Sequence, residues 1–140
     1  MLAEADTIIK TEEALVAAIT EAAQAKKPVN IIGAGTKAGL GRPFDPSATT
    51  VSTAGLSGVT LYEPAELVLS AKAGTTVAEI EKLLDSNNLM LAFEPPDYAR
   101  LLGTEPGKQT IGGVVATNLS GPRRIYAGAA RDLLIGTRAV

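Results

Sequence analysis

A chain of 140 residues with 46% apolar content can bury the core of one ordinary domain, and at 4% aromatic residues that core must come from Leu, Ile, Val and Ala. The absence of Cys and His excludes disulfides, thiolate and histidine metal sites, cysteine nucleophiles and Ser-His-Asp catalysis. A net charge of −2 with scattered basic residues argues against a nucleic-acid surface, and no apolar run reaches the ~18 residues of a membrane span.

The acidic start MLAEADTIIK lacks the long apolar region of a secretory signal, so a reduced, cytoplasmic setting is expected. Thr11 with Glu12 and Glu13 reads as a capped helix start. Leu15, Ala18, Ile19 and Ala22 continue it at helical spacing, with Lys26 and Lys27 in the last turn and Pro28 as the stop. VNII (29–32) reads as a short buried strand. TTVST (49–53), GVTLYE (58–63) and ELVLSAK (66–72) read as further strands, with Leu67, Leu69 and Ala71 sharing a face. Thr76-Val77-Ala78-Glu79 is a capping box; Val77, Ile80, Leu83 and Leu84 give the helix behind it one apolar stripe. LMLAF (89–93) reads as a strand ended by EPP, residues 97–110 as an exposed loop, TIGGVVATNLSG (110–121) as a short helix starting at its glycine pair, and DLLIGTRAV (132–140) as a final strand. Parallel-type units beside adjacent strands predict an α+β or α/β architecture. An apolar strand at the end of the chain reads as a cut within a larger protein.

Two glycine-rich stretches carry the functional signal. GAGTKA (33–38) satisfies the relaxed dinucleotide pattern G-x-G-x-x-G/A, but a Rossmann loop must open a helix whose amides hold the pyrophosphate. Gly39, Gly41, Pro43 and Pro46 follow instead, which no stable helix of that length accommodates. GTEPGK (103–108) fails as a Walker loop, with three residues between its glycines and Gln109 where Ser or Thr belongs. What remains at 33–37 is a loop of closely spaced N–H groups that can converge on an anion; a plain structural turn is the alternative. Thr110-Ile111-Gly112-Gly113 places two glycines at a helix start, where free N–H groups are expected; close helix–sheet packing is the alternative there. Two such segments beside apolar strands fit a ligand with a long phosphate-bearing backbone.

GAGTKAGLG after a strand, EPP before a loop, TIGGVVATN and then YAGAARDLLIG, in that order and spacing across nearly the whole chain, resemble the FAD-binding domain of the vanillyl-alcohol-oxidase or PCMH-type flavoproteins. TKAGLG with EPP and GPRR is most similar to the FAD-binding subunits of bacterial glycolate oxidases. The resemblance implies an α+β fold: a PCMH-type FAD-binding domain over residues 1–140, with a small parallel βαβ subdomain and a larger, mostly antiparallel sheet, cut before its C-terminal end and without a substrate cap. It implies FAD as cofactor, held through Gly33, Ala34, Gly35, Thr36 and Lys37 in a first pyrophosphate loop and through Thr110, Gly112 and Gly113 in a second phosphate segment. Ala116, Thr117, Ser120, Gly121 and Gly128 match positions lining the cofactor. Pro95 and Pro96 match the turn at the flavin edge, and Val140 the strand near the adenosine end. Thr36 stands where relatives often carry a tethering His, so the resemblance implies non-covalent FAD.

The same resemblance implies oxidation of a 2-hydroxy acid, with a second flavin subunit and an iron–sulfur subunit as partners, in the cytoplasm or peripheral at the inner membrane face. Arg123, Arg124 and Arg131 are candidate anion contacts. Tyr62, Tyr98 and Tyr126 read as packing residues with a polar tip, and Asp97 as a turn residue. No residue reads as a catalytic base, so the fragment alone is expected to be inactive. The competing readings are the FAD domain of another flavoenzyme, such as a reductase of cell-wall precursor synthesis, and an assembly domain that has lost FAD.

Overall fold

A computed structural model of the chain describes residues 5–140; the first four residues of the acidic N-terminal stretch lie outside that description. The chain begins with strand β1 (Thr7–Ile8), helix α1 (Glu12–Gln24) and strand β2 (Val29–Ile32), followed after a long loop by strand β3 (Thr49–Ser52). These three strands form one parallel sheet in the order β1-β3-β2, with Val29 opposite Thr49 and Ile32 opposite Ser52. α1 starts as its sequence dictates: Thr11 Oγ1 accepts the Ala14 N–H at 3.2 Å, and Glu12 and Glu13 occupy the first turn. It stops at Gln24, so Lys26 and Lys27 fall beyond the last turn rather than within it. Lys26 takes a left-handed conformation, φ 52°, and the Lys27 N–H closes back onto the Ala22 carbonyl at 2.9 Å.

β2 is an edge strand with a ladder on one side only, and Ile31 is 51% exposed. VNII is therefore half-buried, not the buried strand its apolar run suggests. The core under the parallel sheet gathers Ile9, Val51 and Leu56, with Leu15 and Ala18 of α1 and Val29 packed against them.

Strands β4 (Val59–Glu63) and β5 (Val68–Ala71) form an antiparallel pair. Leu67 is not on β5: it sits in the turn at φ 56° and is 76% exposed, so it shares no face with Leu69. The pair hands the chain to helix α2 (Val77–Asp85). Thr76 accepts the Glu79 N–H, and the Glu79 carboxylate accepts the Thr76 N–H at 2.9 Å, closing the capping box. Val77, Ile80 and Leu84 are buried along the expected stripe.

Short helices α3 (Ala99–Leu102), α4 (Ile111–Thr117), α5 (Arg124–Ala127) and α6 (Ala130–Leu133) follow. Val77, Phe93, Val114 and Ala130 form the second core cluster, flanked by Leu91, Ile111 and Leu119. Two strand expectations fail here. Residues 89–93 form no strand: the Glu94 N–H closes a turn onto the Leu91 carbonyl at 3.0 Å, and Met90 is 52% exposed. Residues 132–140 form no strand either; α6 occupies the start, and Ile135 lies 85% exposed in irregular chain. An apolar run becomes a strand only where a neighbouring strand offers amides and carbonyls, and none does so here. Residues 97–110 are more than an exposed loop, because Ala99, Gln109 and Thr110 are buried. No helix among the described residues is long and apolar enough to cross a membrane.

Candidate cofactor site

The glycine loop leaves the C-terminal end of β2 and is pinned at its root. Ser52 Oγ donates to the Gly33 carbonyl at 2.7 Å, and the Thr53 N–H donates to the Ile32 carbonyl at 2.8 Å. Beyond this point the ladder stops. Among the described residues, the N–H groups of Gly33, Ala34, Gly35, Thr36 and Lys37 donate to no protein acceptor. The next amide, Ala38, turns back onto the Gly35 carbonyl at 3.1 Å. Gly35 sits at φ 70°, the left-handed region that lets successive N–H groups face the same way. Thr36 is buried at 9% exposure. A run of unspent amides on a partly buried loop leaves donors that an anion would satisfy.

The second glycine segment meets this loop directly. Thr110 caps α4, its Oγ1 accepting the Gly113 N–H at 3.3 Å. It is held there by pairing with Thr76: the Val77 N–H donates to the Gln109 carbonyl, and the Ile111 N–H to the Thr75 carbonyl, both at 2.9 Å. Gly33 lies so close to Thr110 that a Cβ would overlap Thr110 Oγ1 and stand 3.2 Å from its Cγ2. Lys37 Nζ would lie 3.7 Å from a Cβ at Gly113. The two segments, far apart in sequence, are in contact.

Their roles differ from the expectation, however. The first amides of α4 are already used: Ile111 by Thr75, Gly112 by the Ala73 carbonyl at 2.9 Å, Gly113 by Thr110 Oγ1 and Val114 by the Thr110 carbonyl at 3.1 Å. The helix start therefore presents no free row of N–H groups. Gly112 serves packing, since a Cβ there would come 2.8 Å from both the Cβ and the carbonyl oxygen of Ala73. The donors lie on the first loop; the second segment supplies a wall and a place for Lys37.

The remaining positions fall in two groups. Pro96, Tyr98, Ser120, Gly121 and Ile125 line one concavity. Pro95 is buried, its carbonyl accepting from Gln109 Nε2 at 3.4 Å, and it borders a different concavity with Glu81, Leu89 and Leu91. In the first concavity, Gly121 is fixed by its N–H on the Phe93 carbonyl at 2.8 Å, and Ser120 Oγ accepts the Ala130 N–H at 2.9 Å. By contrast, no described hydrogen bond ties Ala116, Thr117 or Gly128 to the loop. Ala116 is exposed, the Thr117 hydroxyl donates to the Gly113 carbonyl at 2.7 Å, and Gly128 turns at φ 85° against Asp132. The arginines have local partners: Arg123 with Glu94 at 3.9 Å, Arg131 with Asp132 at 3.5 Å, and Arg124 with the Ser120 carbonyl at 3.4 Å. Tyr126 is 94% exposed, so it is not a packing residue. Val140 is exposed in irregular chain.

Two residues matter more than their sequence context suggests. Asp97 is a turn residue, its carboxylate accepting the Ala99 N–H at 2.9 Å and the Gly107 N–H at 2.7 Å, and its charge also acts on Lys37. Burial holds the Lys37 ammonium below the usual lysine range, and the Asp97 carboxylate opposes that shift. Gln109 is 4% exposed and its Oε1 has no partner. The sequence marked Asp97 only as a turn residue, and nothing local marked Gln109.

The arrangement suits a diphosphate: unspent amides on the first loop and one half-buried ammonium against the start of α4. Comparison with known proteins agrees. A family model described as FAD binding domain matches residues 3–140. The glycolate oxidase subunit GlcE of Escherichia coli (strain K12) is 38% identical over 128 residues, which cover 91% of this chain and 34% of that protein. The chain thus spans about a third of that relative's length. Among solved structures, an alkyldihydroxyacetonephosphate synthase superposes with TM-score 0.67 at 18% identity over 91% of this chain and 23% of its own. A glycopeptide hexose oxidase complexed with teicoplanin does so with TM-score 0.60 at 17% identity over 92% and 24%. With nearly every residue matched, the chain belongs to the family of FAD-binding domains, in the PCMH-type fold.

Proposed function

We propose that residues 1–140 serve as the FAD-binding module of a 2-hydroxy-acid oxidase or dehydrogenase of the glycolate type, within a complex of further flavin and iron–sulfur subunits. The observation that carries the reading is the row of unspent amides at 33–37, held against Thr110 and Gly113 with Lys37 beside it. The loop amides and Lys37 would neutralise part of the diphosphate charge, each charge-assisted bond being stronger than a neutral one. Thr36 would add a hydroxyl, and the concavity at Pro96, Ser120 and Gly121 would take the apolar end of the cofactor. Ala116, Thr117 and Gly128 would line the cofactor as well. The absence of His and Cys supports retention without a covalent bond.

Bound FAD supplies the hydride acceptor for the substrate carbon. The chain's own part is to bind, orient and exclude water. No described side chain is assigned a proton-transfer role in this reading, and substrate groups are assigned to other parts of the protein or its partners. Cytoplasmic placement, at the inner membrane face or free, belongs to the same proposal.

Flavin absorbance of the purified protein, followed by acid precipitation, tests this reading. FAD is expected in the supernatant, and a colourless protein that gains no thermal stability from added FAD would overturn it. Bleaching by glycolate or lactate in the assembled complex is the expected reduction result. Bleaching by NAD(P)H alone would move the chain to the reductase reading.

A further inference from the structure

Gln109 stands directly before Thr110 and is closed off from solvent, with 4% of the residue exposed. Its backbone is tied to α2, the Val77 N–H donating to the Gln109 carbonyl at 2.9 Å. Its side chain reaches the EPP turn, where Nε2 donates to the Pro95 carbonyl at 3.4 Å. Among the described residues no backbone N–H donates to that carbonyl. The side-chain amide can face it only one way, because the reverse orientation would set two carbonyl oxygens against each other. Oε1 is then left buried without a donor.

Stability does not account for a glutamine here. A buried acceptor without a donor forfeits its hydration and gains nothing in return, whereas Met or Leu would fill a similar volume with no polar atom to bury. The turn that Gln109 holds is itself strained. Glu94 takes φ 43°, a left-handed backbone that is uncommon outside glycine, directly before a proline that restricts the residue ahead of it. Such a conformation persists only where the surroundings fix it. Pro96, the next residue after Pro95, lines the concavity with Ser120 and Gly121. On the other side of Gln109 in the chain, Thr110 stands against Gly33 at the root of the phosphate loop. One side chain therefore joins a wall of the concavity to the segment that packs on the loop of unspent amides.

We propose that Gln109 is a positioning residue for the cofactor: through the Pro95 carbonyl it sets the EPP turn, and with it the Pro96 wall, relative to the phosphate loop, so that the ring end of FAD is seated in register with its diphosphate. This rests on the FAD reading above. In this role Gln109 touches neither the phosphates nor the reacting atoms; it acts through Pro95 and Pro96.

The test compares two ligands on the full chain by titration calorimetry: FAD, which spans both ends of the site, and ADP, which carries the diphosphate without the flavin ring. In Gln109→Met, and again in Gln109→Leu, FAD affinity should fall roughly 3- to 10-fold, the equivalent of one hydrogen bond. ADP affinity should stay within about twofold of the unmodified chain. The Tm without ligand should stay within about 3 °C, because the variants lose one hydrogen bond and one unpaired acceptor together. The visible absorbance of the bound flavin should shift as its ring settles differently.

Equal losses of FAD and ADP affinity would mark a general structural role and overturn the proposal. Unchanged FAD affinity, or failure of both variants to fold, would overturn it too. In each of these cases the unmodified chain still binds FAD, so the FAD reading stands. If the unmodified chain binds neither ligand, both fall.

Discussion

Replacing Gly33 with Ala adds one methyl group at the contact between the two glycine segments. That methyl would overlap Thr110 Oγ1 and stand 3.2 Å from Cγ2 and 3.3 Å from Cβ of the same residue. Relief requires a shift of about 1 Å to regain ordinary contact, and neither side moves freely. The loop root is held by Ser52 Oγ and the Thr53 amide, while Thr110 is held by the paired bonds to Thr75 and Val77. Overpacking of this kind costs about 1–3 kcal/mol. If Thr110 escapes by rotating, α4 loses its cap, at about 1 kcal/mol. A total near 2–4 kcal/mol corresponds to a fall in Tm of roughly 5–15 °C for a chain of this size. Thermal denaturation with and without FAD measures it, and the FAD-induced rise in Tm should shrink as well. The decisive comparison is the double variant with Thr110→Ala, which removes the hydroxyl and leaves only the contact at 3.3 Å. The pair should cost at least about 1 kcal/mol less than the sum of the single changes. Strict additivity would show that Gly33 is not small on account of Thr110, and would refute the contact argument.

Three other perturbations separate packing from binding. Gly113→Ala adds a methyl 3.3 Å from Thr110 Oγ1 and 3.7 Å from Lys37 Nζ; the gain in helix propensity, about 1 kcal/mol, offsets the crowding, so Tm should barely change while titration calorimetry shows weaker FAD binding. Gly74→Ala would drive a methyl into the carbonyls of Thr53, Ala54 and Leu56, backbone atoms that cannot yield, and should cost more than about 4 kcal/mol, read as loss of soluble folded protein. Glu79→Ala removes one half of the capping box and should cost about 1 kcal/mol near neutral pH in urea denaturation. The Thr76 hydroxyl, and then its amide, hold the Glu79 carboxyl below its usual 4.5. That contribution is present above pH 4.5 and is lost as pH falls through the lowered value, so the difference between wild type and variant should close in acid.

Much of the local structure could be read directly from the residues. Thr11 and Thr76 as caps, the stripe Val77-Ile80-Leu84, the helix opening at Gly112-Gly113 and the strands around Val51, Leu61 and Leu69 follow from short-range chemistry: side-chain oxygens near free amides, and apolar spacing that matches one period. The family pattern was legible too, because its glycines are positions where a side chain does not fit, by left-handed backbone at Gly35 and Gly128 and by close neighbours at Gly33, Gly112 and Gly121. What failed were the apolar runs at 89–93 and 132–140, and Leu67 on the wrong side of a turn. Their fate depends on whether a neighbouring strand is present, which no local pattern encodes.

The candidate site divides along the same line. That residues 33–37 could bare their amides is a property of the loop's own sequence. That Gly33 abuts Thr110, that α4 has spent its amides on Ala73, Thr75 and Thr110, and that Lys37 reaches Gly113 were decided by the tertiary structure alone. Hydrogen-bond donors and charges act through distance, and segments about seventy residues apart come within a few ångströms only when the chain has folded.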